Sequence, residues 1–213
     1  MVPSRVFVDA NVLYSRTLRD WLALLQLSAP GEIYMVYWTE DVLAEAIYHL
    51  RKKHPTWDGV KITQIRDRIA SVFEDGRVDD FTIDGTFPGD DHDDQHVHAA
   101  AVACQADYIL SCDNGFFLAE EHADSMPYEV YRPDEFFMLV ANSAPDLVRD
   151  VTRTQTEYWA KRNAGRADLA GPLIKAGCPE FAERVRNFQG ELSLPADNMQ
   201  APVAGDKQQL PRF

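Results

Sequence analysis

The sequence predicts an α/β fold: a mostly parallel sheet covered on both faces by helices, followed by a helical extension. Three observations predict it. Short apolar runs alternate with segments at helical spacing over the first 140 residues, the pattern of parallel strands joined by crossover helices. Two of these runs, Val6-Phe7-Val8 and Tyr108-Ile109-Leu110, have an acid close behind them, Asp9 and Asp113. Past Ala141 the alternation stops and only helical periodicity remains.

Arg5–Val8 reads as the first strand. A helix is expected from Asn11 to about Leu27, carrying Leu13, Leu18, Trp21, Leu22, Leu24 and Leu25, until Ala29-Pro30-Gly31 breaks it. Ile33–Trp38 is β-branched and aromatic, a strand. Thr39 is a helix N-cap, with Glu40 and Asp41 in the favoured first turn. The helix behind it spaces Val42, Leu43, Ala46, Ile47 and Leu50 at helical period. Arg51, Lys52 and Lys53 fill its last turn before His54-Pro55. Ile62–Phe73 is a second amphipathic helix and Val78–Ile83 a short strand. Asp93–Gln105 is a helix with Val97, Ala100, Ala101 and Cys104 on one face. Tyr108–Ser111 and Tyr128–Tyr131 are strands. Pro133 opens the helix Asp134–Val140. Leu147–Trp159 and shorter pieces near Leu169–Lys175 and Pro179–Phe188 follow. This divides the chain into residues 1–141, a helical extension at 142–190 and an irregular tail at 191–213.

The formal net charge of −13 argues against a nucleic-acid binder with a general basic surface. The charge is uneven, however. Residues 1–140 hold 25 acids and 11 Lys or Arg, and residues 141–213 hold 9 and 10. The acidity belongs to the part that carries the strand-end acids, where bound cations would offset it. Three cysteines (104, 112 and 178) with no Cys-x-x-Cys pair argue against a disulfide scaffold and a cysteine zinc site, and fit a reduced, cytoplasmic setting. The N-terminus carries no secretory apolar region, and no apolar run approaches the ~20 residues of a membrane span.

The acids carry the chemistry. A carboxylate straight after a buried strand is costly to desolvate without a partner, and it lies where open α/β sheets hold their ligands. Asp9 and Asp113 share that placement. Asn11 and Ser111 are polar neighbours able to orient them, as is Asn114. Each acid has a plainer reading: Asp9 as a helix cap, Asp113 as a turn former. Glu45 lies between Ala44 and Ala46, off the apolar stripe, where an acid either reaches a cleft or faces water. The stretch Asp90-Asp91-His92-Asp93-Asp94-Gln95-His96 holds four acids in five positions, more than capping uses. Within it Asp94 is one turn ahead of Val97, and Asp90 reads as a loop acid. Converging carboxylates repel unless a cation joins them, so the pattern points to a divalent-metal site. His92 and His96 have the spacing of a zinc pair, but nothing obviously completes it, and they read as surface or supporting histidines.

The order V-D-A-N-V-L, T-E-D-V-L-A-E-A, D-D-H-D-D-Q-H-V-H-A-A-A and A-D-Y-I-L-S-C-D-N resembles PIN-domain ribonucleases, most closely the bacterial VapC-type toxins, over roughly residues 4–140. The segment from Leu173 to Ala182 is similar to the C-terminal extension of one subgroup. The resemblance implies an α/β/α sandwich and an acidic quartet at Asp9, Glu45, Asp94 and Asp113. It matches Asn11 to the position supporting the first acid, Asp91 to an extra acid, and Ser111 to a frequent Ser or Thr. It also implies Mg²⁺ or Mn²⁺, cleavage of RNA, a homodimer and a small antitoxin partner. Arg16, Arg19, Arg51, Lys52 and Lys53 are candidate contacts to an RNA backbone, with plain surface as the alternative.

Two rival readings stand beside it. A phosphatase with a strand-end Asp nucleophile commonly has a second acid two residues on, where this chain has Asn11. A non-catalytic module would keep the acidic cleft for binding only.

Overall fold

The computed structural model describes residues 2–89, 91–117 and 123–192. Asp90 and the expected tail from residue 193 onward lie outside them. Strand β1 (Ser4–Val8) is followed by helices α1 (Ala10–Tyr14) and α2 (Arg16–Ser28), strand β2 (Tyr34–Tyr37), and helices α3 (Glu40–Lys53) and α4 (Gly59–Val72). Helix α5 (Gln95–Ala103), strands β3 (Tyr108–Leu110) and β4 (Glu129–Tyr131), and helix α6 (Pro133–Ser143) complete the α/β part. Helices α7 (Pro145–Arg162), α8 (Ala170–Lys175) and α9 (Pro179–Leu192) form the C-terminal helical part.

The sheet is parallel throughout, in the order β2-β1-β3-β4. Val6, Phe7 and Val8 of β1 are fully buried, as a central strand with helices on both faces requires. The chain goes from β1 outward to β2 and then crosses back to β3 on the other side of β1. The order therefore reverses between β1 and β3, and the carboxyl ends of these two strands flank the crevice where such sheets bind ligands. The core continues into the C-terminal helices. Phe181 of α9 packs edge-on to Trp21 of α2 at 5.0 Å and stacks with Phe137 of α6 at 4.9 Å.

Four local expectations are corrected. The single helix from Asn11 to Leu27 is two, because Ser15 is extended and its hydroxyl caps α2 at Leu18. A side-chain cap offered in mid-run starts a new helix in a new direction. The strand at Val78–Ile83 reduces to one bridge between Arg77 and Trp38, beside β2. Asp79 and Asp80 follow that bridge, and Asp79 pairs with Arg77 at 2.8 Å instead of entering the sheet. The expected start at Asp93 is a 3₁₀ turn, His92–Asp94, ahead of α5. Finally, α9 runs through Glu191 and Leu192, two residues into the expected tail.

Candidate functional site

Asp9 continues the β1–β3 ladder by one residue: its N–H donates to the Leu110 carbonyl at 3.0 Å. Its side chain is 6% exposed, so its oxygens need donors. Oδ1 accepts from the Ala10 N–H at 2.5 Å, which caps α1. Oδ2 accepts from the Ser111 hydroxyl at 2.7 Å and from the Asn11 amide. Asn11 also donates to Ser111 Oγ at 3.1 Å, and its carbonyl oxygen accepts from the Cys112 N–H at 2.9 Å. Ser111 Oγ in turn accepts from the Asp113 N–H at 2.9 Å. One polar knot thus ties the ends of β1 and β3 together and fixes the backbone that bears both acids. Burial pushes the Asp9 carboxyl above the usual range. The Ser111 and Ala10 bonds oppose that shift, while Glu45 and Asp113 add to it.

Asp113 caps the turn Asn114–Phe116 through Gly115 N–H at 2.9 Å. Asp94 ends the 3₁₀ turn before α5 and is half-buried. Its carboxyl is pushed up to about 7, first by burial and then by repulsion from Asp9, Asp91, Asp113 and Glu45. Asp94 Oδ2 is buried with no hydrogen-bond partner among the described residues. A Cβ at Gly115 would lie 2.7 Å from that oxygen and 3.6 Å from Asp113 Oδ1. Two carboxylates therefore crowd the one residue in the turn that has no side chain. Glu45 is exposed on α3, 3.4 Å from His49, yet close enough to raise both Asp9 and Asp94. Asp91 caps the 3₁₀ turn through the Asp93 N–H at 2.9 Å. Asp93 itself is exposed, and it is Asp94 that meets the other acids.

An orphaned buried carboxylate oxygen within a set of carboxylate donors fits a hard divalent cation. As placed, no three His, Cys, Asp or Glu side chains among the described residues make a ready-formed cage. The histidines do not supply an alternative. His92 is exposed and His96 is half-buried. His98 is buried between Tyr128 (2.6 Å from Nδ1) and Thr86 (3.1 Å from Nε2), and burial lowers its pKa.

Arg132 is a site residue that no sequence pattern points to. Its guanidinium donates to the Cys112 carbonyl at 3.2 Å and to Asn114 Oδ1 at 2.6 Å, and lies 4.2 Å over the Phe117 ring. It clamps the turn that carries Asp113, with Asn114 Oδ1 as one of its acceptors. Of the basic residues singled out by sequence, Arg16, Arg19 and Lys53 line a cleft that begins at Asn11 and Cys112. Arg51 is turned to the Trp57 carbonyl and Lys52 is not in the cleft.

Fold and site together define an α/β protein with carboxylates gathered at the carboxyl ends of two neighbouring parallel strands. The sequence matches the PIN domain family model over residues 5–115, just over half of the chain, and the protein belongs to that family. PIN domains are in general nucleases that use divalent metal ions. No curated protein and no solved structure matches the chain significantly. Among the described residues no helix is long and apolar enough to cross a membrane.

Proposed function

We propose that this protein is a Mg²⁺- or Mn²⁺-dependent endoribonuclease, the toxin of a cytoplasmic toxin–antitoxin pair. One observation carries the nuclease reading: the half-buried Asp94 carboxylate, whose Oδ2 is buried without a partner among the described residues, is held among Asp9, Asp91, Asp113 and Glu45, all of which raise its pKa. Like charges so arranged are useful only where a cation and a polyanion meet. Asp9, Asp94 and Asp113 would hold the metal, with Glu45 at the rim. Bound there, a divalent cation supplies a more acidic water and stabilises charge growing on a phosphate. The chain's own contribution is positioning. The Ser111–Asn11 knot orients Asp9 and favours its ionised form, and Arg132 and Gly115 hold the turn that sets Asp113 against Asp94. Glu45, exposed beside His49, has the freedom to orient an attacking water.

The toxin role, the antitoxin and a homodimer rest on the resemblance of the four acidic motifs to VapC-type toxins. An α/β phosphatase is disfavoured by Asn11, whose amide is committed to Asp9 and Ser111. Purified protein incubated with cellular RNA and Mg²⁺ or Mn²⁺ should produce discrete new 5′ ends, and the Asp113→Asn variant should not. Equal cleavage by the two would sink the assignment. A short adjacent reading frame, whose product co-purifies with the chain and blocks cleavage, is expected for the antitoxin.

A further inference from the structure

A cleft of about 880 Å³ opens beside the acids at Asn11 and Cys112. It runs between the α1–α2 corner, the facing parts of α3 and α4, and α8 of the C-terminal extension. Its lining inverts the charge of the chain. Arg16, Arg19, Lys53, Lys61, Arg68 and Lys175 face it and, among the described residues, no Asp or Glu does, although the protein carries a net charge of −13. Lys53, Lys61 and Lys175 are exposed and enter no ion pair among the described residues. On the same helix as Lys61, Arg66 lies outside the cleft and is paired with Glu40 and Asp67. Arg16 at the rim is paired with Asp20 at 3.5 Å, so the unneutralised charge of the cleft is that of the three lysines.

Two aromatic rings stand among these cations. Trp57 stacks on His54 at 3.8 Å, with an interplanar angle of 3°, and its ring carries the Lys61 ammonium at 3.7 Å. Tyr14 carries the Lys53 ammonium at 5.0 Å. A lysine resting on a ring face is a movable cover. A nucleobase can take its place by stacking while the ammonium swings to the adjoining phosphate. Only unpaired bases can do this.

Building on the nuclease reading, we infer that this cleft is the track for a single-stranded RNA, leading its backbone past Asn11 and Cys112 to the neighbouring acids Asp9 and Asp113. Helix α8, through Pro172 and Lys175, forms its far wall. The extension thereby belongs to the substrate-binding surface, and an acidic protein gains a place where a polyanion is attracted.

The test uses the full chain with Asp113→Asn, so that nothing is cut, and a labelled 20-nucleotide single-stranded RNA in Mg²⁺. Affinity should fall at least tenfold in Lys61→Glu/Lys175→Glu. The slope of log affinity against log salt should become shallower by about 0.7 for each phosphate that is no longer neutralised. Trp57→Ala should weaken binding about tenfold, whereas Lys161→Glu on α7, away from the cleft, should not. Duplex RNA or polyglutamate at equal charge should compete poorly. Unchanged affinity in the folded double variant, or equal competition by duplex or polyglutamate, overturns the track. The two readings fail separately. A wild-type chain that cuts no RNA but binds it through these lysines refutes the nuclease alone. One that cuts normally with Lys61→Glu/Lys175→Glu refutes the track alone.

Discussion

The Ser111 hydroxyl donates to Asp9 Oδ2 at 2.7 Å across 102 residues of sequence. This hydrogen bond joins the carboxyl ends of two neighbouring parallel strands. The same hydroxyl oxygen accepts the Asp113 N–H, so one buried group orients the first acid and the backbone of the last. Sheet topology supplies the proximity, because β1 and β3 adjoin only after the chain has visited β2 and returned.

Ser111→Ala should therefore do two things. It removes a donor from a buried carboxylate, which costs about 1–3 kcal/mol, with a melting temperature lower by about 2–4 °C per kcal/mol for a chain of this size. It also removes the interaction that most strongly holds the Asp9 pKa down. The acid limb of the pH–activity profile should move to higher pH, and part of the lost activity should return in alkaline buffer. A variant that melts lower while keeping the wild-type profile would show the hydroxyl to be structural only.

Gly115→Ala tests the crowding of Asp94 and Asp113. The added methyl would stand 2.7 Å from Asp94 Oδ2, and the short Asp side chain must turn aside. Turning into water relieves repulsion, so stability should change by no more than about 1 kcal/mol. Activity should fall about 10- to 100-fold, since displacement of a ligating group by about 1 Å costs that much. Titration calorimetry with Mn²⁺ should show weaker binding in proportion. Wild-type activity in Gly115→Ala would remove Asp94 from the site.

Strands β1 and β3 are legible because buried parallel strands are short apolar runs, and Asp9 and Asp113 because each lies close behind one; the same criterion over-reads Val78–Ile83, which makes a single bridge. The acid-rich stretch could not be resolved from sequence alone. Asp93 and Asp94 differ by one position, and only the 3₁₀ turn that rotates Asp94 inward and Asp93 outward separates them. The break at Ser15 was hidden because leucines continue at helical spacing on both sides of it. Arg132 precedes Pro133 and reads as the entry to a helix. Its grip on Cys112 and Asn114 spans about 20 residues and depends on β3 and β4 being neighbours, which no local pattern encodes. The basic cleft is only partly legible for the same reason: Arg16, Arg19 and Lys53 could be named as candidates, but α1, α2, α3, α4 and α8 each give the cleft a few residues and only the fold gathers them.

The strongest physical test is the pH dependence of stability in the absence of metal. The Asp94 carboxyl has an ordinary value of 3.8 and is raised to about 7 in the folded chain. Below about pH 4 both states hold the proton and the residue makes no difference. Between about pH 4 and pH 7 the folded state binds more protons than the unfolded state, so stability falls as pH rises, and above about pH 7 the penalty is complete. The residue is half-buried, and with solvent screening the penalty is on the order of 1 kcal/mol. In EDTA, Asp94→Asn should match the wild type near pH 4 and melt higher by about 2–4 °C at pH 8. Saturating Mg²⁺ should then raise the wild type more than the variant, because a ligand that binds only the folded state stabilises it by mass action. Identical melting curves at both pH values, with no response to Mg²⁺ or Mn²⁺ in either protein, would dismiss the metal centre and leave Asp94 a misplaced surface acid.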